Sequence, residues 1–306
     1  MSENLIVKNE QGLEQLKQLV TDSLTSPNSR AAYDKALTDF LAWYQSTGQQ
    51  GLIKATVAEY KRYLQGLGYA PSTINQRLSA IRKLALEAAD NGLMDAQLAN
   101  GVARVKGVKS SGVRTGNWLT KDQAQRLLDV PDITTLKGLR DRAILAVMLG
   151  AGLRRSEVAA LTFEHIQQRE GRWVIVDLIG KGKRVRTVPI PSWAKQAIDE
   201  WAQTAGISEG RIFRAVNKGD RLAGDSLTSQ AVQDVVKLYA KQCGFELAAH
   251  DLRRTYAKLA RKGGAELSQI QLSLGHQTVQ TTERYVGEQQ DLTTAPCDVI
   301  RLRLYQ

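Results

Sequence analysis

The sequence predicts a mainly α-helical protein with a small antiparallel β-sheet, arranged in two domains. Three observations predict it. Apolar residues recur at helical spacing through most of the 306 residues. One stretch, RWVIVDLIGKGKRVRTVPI, instead sets β-branched residues on both sides of a Gly/Lys turn, the pattern of strands joined by a hairpin. A third stretch, VKGVKSSGVRTGN at 105–117, combines Gly, Ser and Thr with three cations in the manner of a flexible basic linker. These place a helical domain over 1–104, the linker over 105–117 and an α+β domain over 118–306.

In the first domain, SRAAYDKALTDFLAWYQSTG sets Tyr33, Leu37, Phe40, Leu41 and Tyr44 on one face, with Gly48 as a stop. TVAEYKRYLQGLG is a shorter helix ending at Gly66 and Gly68. APSTINQRLSAIRKLALEAADNGLM opens on Pro71 and Ser72, residues suited to a helix start. Ile74, Leu78, Ile81, Leu84, Ala85 and Ala88 mark its apolar face, and Gln76, Arg77, Arg82 and Lys83 a polar one. That polar face is either solvated surface or a stripe for nucleic-acid phosphates. The second domain begins at WLTKDQAQRLL, where Thr120 and Gln123 form a capping-box pattern. GLRDRAILAVMLGAG is an apolar helix ended by Gly150 and Gly152, and RRSEVAAL a short helix after it. Beyond the hairpin, helices resume at SWAKQAIDEWAQTAG, LTSQAVQDVVKLYAKQCG, HDLRRTYAKLARKGG and AELSQIQLSLG.

Hydrophobic content of 42% and charged content of 24% are those of an ordinary globular protein. No apolar run approaches the roughly 20 residues of a membrane span. The opening MSENLIVKNEQ lacks the basic and apolar regions of a signal peptide. With only Cys243 and Cys297, far apart and in no C-x-x-C, neither a disulfide framework nor a zinc cluster is expected, and a reducing cytoplasm fits. The net charge of +11 is the electrostatic footprint expected of a phosphate-backbone binder, which would be nucleoid-associated when bound, and is equally compatible with a ribosomal, membrane-surface or simply basic protein. The excess is uneven. Residues 1–104 are nearly balanced, whereas the linker carries Lys106, Lys109 and Arg114 with no acid.

The second domain holds a series of chemically able residues: Arg154, Lys181, the pair His250 and Arg253, His276 and Tyr285. Taken singly, each has an ordinary reading, as a surface arginine, a hairpin-turn lysine, a helix start, a cap and a half-buried tyrosine. His250 and Arg253 stand three apart and share a helix face. A metal site is poorly supported, because the only other histidine is His165 and no third ligand recurs at a recognisable spacing. Taken together, the set suits metal-free attack on a phosphodiester. Arginines hold non-bridging oxygens with planar charge-assisted donors. A lysine beside the phosphate can protonate a leaving oxygen. A tyrosine can attack once cations and a histidine help remove its proton.

Four stretches resemble motifs of one family, the tyrosine recombinases or phage integrase family. GLRRSEVAAL is similar to its G-L-R-x-S-E motif, and GKGKRVRTVPI to its G-K-G-x-[KR]-x-R-x-V-P hairpin. HDLRRTYA is similar to H-x-L-R-[RH]-[ST]-x-A, and LGHQTVQTTERY to L-G-H-x-[ST]-x-x-T-T-x-x-Y. The four occur in the family's order, and the resemblance covers nearly the whole chain. The resemblance implies an N-terminal SAM-like core-binding domain and a catalytic domain that together clamp duplex DNA. It implies that Arg154 and Arg253 hold the scissile phosphate and that Lys181, with Lys183 as a near alternative, is the general acid. His250 becomes a proton-transfer partner, His276 a donor to a non-bridging oxygen, Tyr285 the nucleophile and Glu157 an acidic brace. Arg77, Arg82, Lys83, Lys106, Lys109, Arg114, Lys183 and Arg184 are the expected DNA contacts. The family works as homotetramers on paired double-stranded sites, through a 3′-phosphotyrosyl bond and a Holliday junction, with no cofactor, no ATP and no metal. The tail at 286–306, with Val299, Ile300, Leu302 and Leu304, is expected to dock on a neighbouring subunit. A relaxing enzyme like the type IB topoisomerases shares this chemistry, and a non-catalytic DNA-binding protein could share the scaffold, although the complete residue set argues against a pure binder. The helical domain begins within about 30 residues of the start, so no separate arm-binding domain is expected.

Overall fold

The structure, a computed structural model, describes residues 10–49, 51–109, 117–180 and 185–287. The chain divides into two compact units, Met1–Val113 and Arg114–Gln306. No described helix is long and apolar enough to cross a membrane.

The first unit is built from α1 (Glu10–Asp22), α2 (Pro27–Ser46), α3 (Lys54–Gly66), α4 (Pro71–Asp90) and α5 (Ala96–Ala103). Pro27 follows an Ser26 cap whose side chain accepts from the Ser29 amide, and Asp95 caps α5 through the amides of Gln97 and Leu98. α4 packs against α1, α2, α3 and α5. It therefore buries Arg77 and Ala80 as well as the apolar face read from the sequence. Phe40 and Tyr60 meet edge to face at 5.0 Å, and Trp43 packs on the same tyrosine.

Two expectations about this unit change. Arg77 is not part of a free polar stripe. It is 6% exposed, its Nη2 lies 2.8 Å from Asp39, and its Nη1 donates to the Tyr60 hydroxyl. A guanidinium so committed is a core ion pair, because a buried charge needs a partner. Arg82 donates to the Val105 carbonyl and Lys83 pairs with Glu87. Residues 105–109, read from composition as the start of a flexible linker, are instead packed on the first unit. Val105 is buried, and the Asn75 side chain brackets Val108 by donating to its carbonyl and accepting from its amide. Gly107 permits this approach, since a Cβ there would meet Asn75 Oδ1 at 2.5 Å. Residues 105–109 thus belong to the first unit, with Lys106 and Lys109 exposed on it. Arg114 lies outside the described residues.

The second unit comprises α6 (Lys121–Asp129), α7 (Leu136–Ala151), α8 (Arg155–Ala160), β1 (Ile166–Arg169), β2 (Arg172–Ile179), β3 (Val185–Pro189), α9 (Ser192–Ala205), α10 (Ser229–Gln242), α11 (Ala249–Lys262), α12 (Leu267–Leu274) and α13 (Val279–Val286). The capping box at Thr120 and Gln123 forms as expected, with both reciprocal bonds. α7 is buried almost all round, from Ala143 to Leu149, which is why its sequence is apolar without a clear face. Asp220 closes its start from far along the chain, accepting from the amides of Leu136 and Lys137 at 2.8 Å each. The sheet has the order β1-β2-β3 and is antiparallel, with Ile175 opposite both Ile166 and Val188. The expected hairpin is β2 and β3. β1, with only Ile166 apolar in IQQR, carries no strand signature of its own.

Candidate active site

The start of α8, strand β3, the start of α11 and the α12–α13 turn converge on one cationic pocket. α7 ends in left-handed Gly152, with φ of 61°, where a Cβ would meet Tyr256 Cδ1 at 2.5 Å. Only glycine fits both the turn and the contact. The chain leaves this turn with Arg154 as the N-cap of α8. Arg154 donates from its Nη1 to Glu157 Oε1 and from its backbone amide to Oε2, both at 2.8 Å. Glu157 is 7% exposed and takes a second guanidinium from Arg186, at 3.0 Å from Nη1 and 2.8 Å from Nη2. Burial would push the Glu157 carboxyl up, but the bonds from Arg186 and the Arg154 amide outweigh it and hold the group below its usual range. Glu157 is thus a fixed anion that aligns two arginines.

Arg253 forms the floor. It is 1% exposed, donating from Nη1 to the Gly152 carbonyl at 2.6 Å and from Nη2 to the Leu274 carbonyl. Among the described residues its Nε has no hydrogen-bond partner. Burial, helped by the charge of Arg154, brings the guanidinium down to about 10. It remains cationic at neutral pH and is balanced by carbonyl dipoles rather than by a carboxylate of its own. The carbonyls it grips come from two separate turns, so Arg253 also ties the end of α7 to the end of α12.

Tyr285 enters on α13, beside these cations. Its hydroxyl lies 2.9 Å from His250 Nε2 and 3.3 Å from the His250 carbonyl. The rings of His250 and His276 meet it nearly perpendicularly, at centroid distances of 5.3 and 5.2 Å. His276 Nδ1 lies 3.0 Å from the hydroxyl of fully buried Thr282. Burial and the charges of Arg253 and Arg254 lower His250, and burial with Arg253 and Arg154 brings His276 to about 4. Both imidazoles are therefore neutral at neutral pH, each with one donor and one acceptor nitrogen. Burial raises the Tyr285 phenol, while Arg253 and Arg254 pull it down less strongly. The resting group is a protonated phenol with a neutral imidazole within reach of its proton, a suitable pairing for a nucleophile and its base.

The structure thus brings together Arg154, Glu157, His250, Arg253, His276 and Tyr285. Lys181, Lys183 and Arg184 lie outside the described residues; the strands leading to them end at exposed Ile179 and Val185. Sequence reasoning missed three participants. Arg186 carried a usable signal: on β3 it is in phase with buried Val188, and a charge at an inward strand position needs a buried partner. Left-handed Gly275 leaves room for it, since a Cβ there would meet Arg186 Cδ at 3.0 Å. Thr282 and Arg254 stand at defined positions of the quoted motifs, T-T and [RH], but what each touches is visible only in the fold. Among the described residues, no group of three or more His, Cys, Asp or Glu is placed to share a metal ion.

Family and relatives identify the chain as a tyrosine recombinase, an enzyme that breaks and rejoins DNA strands. The chain belongs to the phage integrase family, whose catalytic domain matches residues 117–291 and whose N-terminal SAM-like domain matches residues 14–92. The tyrosine recombinase XerC of Pelobacter propionicus is 30% identical over 273 residues, covering 87% of each chain. The XerH site-specific recombinase bound to difH substrate, in a pre-cleavage complex, matches with a TM-score of 0.67 at 18% identity, over 92% of this chain and 82% of that one. A lambda integrase dimer bound to a COC′ core site matches with a TM-score of 0.68 at 16% identity, over 90% and 76%. The two solved structures bear on the fold.

Proposed function

We propose that this chain is a site-specific recombinase that cuts and rejoins duplex DNA through a 3′-phosphotyrosyl intermediate. The observation that carries the reading is the Tyr285 hydroxyl held 2.9 Å from neutral His250 beside a cluster of aligned arginines. Arg154 and Arg253 receive the two non-bridging oxygens of the scissile phosphate, with Arg253 offering its unpartnered Nε. His276 donates to one of the same oxygens from the ring nitrogen opposite Thr282. As the phenol oxygen attacks phosphorus, its proton passes to His250. The 5′-oxygen leaves and takes a proton from Lys181. The phosphodiester becomes a phosphotyrosyl diester, so the bond energy is conserved and religation by a 5′-hydroxyl runs the same steps backwards. Cationic donors fixed before the reaction stabilise the charge that develops at phosphorus.

Recombination, as distinct from relaxation, requires two sites to be paired, and the reading places a homotetramer on two duplexes that exchange strands through a Holliday junction. A supercoiled plasmid carrying two copies of the site mapped by covalent adducts tests this. Deletion or inversion between the copies supports recombination, and relaxed topoisomers alone would favour a topoisomerase-like enzyme.

A Lys181→Ala protein is expected to cleave a 5′-bridging phosphorothiolate nearly normally and the oxygen substrate poorly, because sulfur leaves without a proton. Equal defects on both substrates would move the acid role to Lys183 or elsewhere. Removal of residues 292–306, which lie outside the described residues, is expected to spare one-site complexes on native gels and weaken two-site complexes. Normal two-site assembly would remove the tail from the interface.

A further inference from the structure

Arg253 and Arg254 are adjacent on α11 yet serve opposite sides of the pocket. Arg253 turns into the floor. Arg254 turns toward the nucleophile, its Cζ 5.1 Å from the centroid of the Tyr285 ring. Its side chain is only 16% exposed, and its Nη1 lies 3.7 Å from Asp251 Oδ1. Asp251 is itself fixed, because its other oxygen accepts the Ala248 amide at 2.9 Å at the start of the helix. The Tyr285 ring therefore meets two imidazoles nearly perpendicularly and has over its face a guanidinium carried on the same helix as His250.

We propose that Arg254 is a positioning residue for Tyr285, holding the ring by its face and favouring the phenolate over the phenol. The inference rests on Tyr285 being the nucleophile. A cation over an aromatic face is attracted by the ring quadrupole, which holds the phenol in place. When the phenol loses its proton, the side chain becomes a phenolate whose charge is shared between oxygen and ring, and the attraction becomes one between opposite charges. Arg254 thus binds the attacking form more strongly than the resting form, which is the condition for lowering a barrier rather than merely fixing a ground state. The groups that face Tyr285 are His250, Asp251, Arg253 and Arg254 from α11, His276 from the α12–α13 turn and Arg154 from the start of α8. Arg253 is already bound to two carbonyls and Arg154 to Glu157. Arg254, by contrast, lies over the ring, and its one ion pair among the described residues is with a carboxylate 3.7 Å away.

The test is a titration of the full-length protein without DNA, labelled with 13Cζ-tyrosine, in which the Tyr285 resonance is the one absent from Tyr285→Phe. Arg254→Gln keeps a planar polar group and removes the charge; Arg254→Lys keeps the charge and removes the planar fork. The Gln variant is expected to titrate at Tyr285 roughly one pH unit higher than wild type, the size expected for charges about 5 Å apart at intermediate dielectric. The Lys variant is expected to stay close to wild type. The remaining tyrosines, of nine in the chain, report whether each variant keeps its fold. A Gln variant that titrates with wild type, or a Lys variant shifted as far as Gln, would overturn the proposal. Because the readout needs no DNA, its outcome is separate from the test of Tyr285 as the attacking group.

Discussion

A Tyr285→Phe protein is expected to bind DNA as wild type does and to form no covalent adduct. The substitution keeps the ring, and with it the perpendicular contacts to His250 and His276 and the cover of Arg254. It removes one oxygen, the one 2.9 Å from His250 Nε2. The Tyr285 hydroxyl also holds the His250 carbonyl only at 3.3 Å, so the loss leaves no short backbone bond broken. Stability is expected to change by no more than about 1 kcal/mol, the net worth of a typical hydrogen bond. Cleavage is expected to fall below detection, because no other group in the pocket can form the intermediate. Gel shifts beside a denaturing-gel adduct assay separate the two effects.

Arg253→Ala has the second largest expected effect, and here structure and chemistry fail together. The guanidinium is 1% exposed and bonds the Gly152 and Leu274 carbonyls. Each buried carbonyl left without a donor costs roughly 1–3 kcal/mol, and the vacated volume adds to this. A clear drop in the thermal midpoint is expected. Arg253→Lys keeps a charge but not the fork that reaches two carbonyls, so it should recover part of the stability and little of the activity. Loss of one donor to a transition-state oxyanion costs about 100- to 1,000-fold in rate, and single-turnover cleavage by Arg253→Lys is expected to fall at least that far. Cleavage within a few-fold of wild type would mean that Arg253 is a structural tie and not a phosphate ligand.

The helices were legible in the sequence because most have a single apolar face and recognisable starts. Thr120 with Gln123, and Pro71 at the first turn of α4, set their boundaries before any tertiary contact. α4 was misread on one face because it is central. A helix touched by four others buries polar positions too, and Arg77 looked like surface until Asp39 and Tyr60 were seen to hold it. The start of the linker was misread because composition reports flexibility only where nothing is packed; the hold of Asn75 on Val108 depends on residues 33 apart. α5 and β1 are short and lack strong periodicity, so they had no signal to read. In the pocket, the order of motifs located six residues that the fold brings together. Arg186 is a different case: its strand position signals an inward charge, but the carboxylate it meets, Glu157, is fixed only when the chain is folded.

The central claim is that Tyr285 attacks the DNA phosphate. The most direct measurement is peptide mapping of the covalent adduct. The wild-type chain is incubated with DNA carrying its site, trapped with denaturant, digested with nuclease and protease, and sequenced by mass spectrometry. The expected result is a nucleotide linked to the phenol oxygen of the peptide containing Tyr285 and to no other of the nine tyrosines. A nucleotide on another residue, or strand cleavage with no protein-linked nucleotide at all, would contradict it.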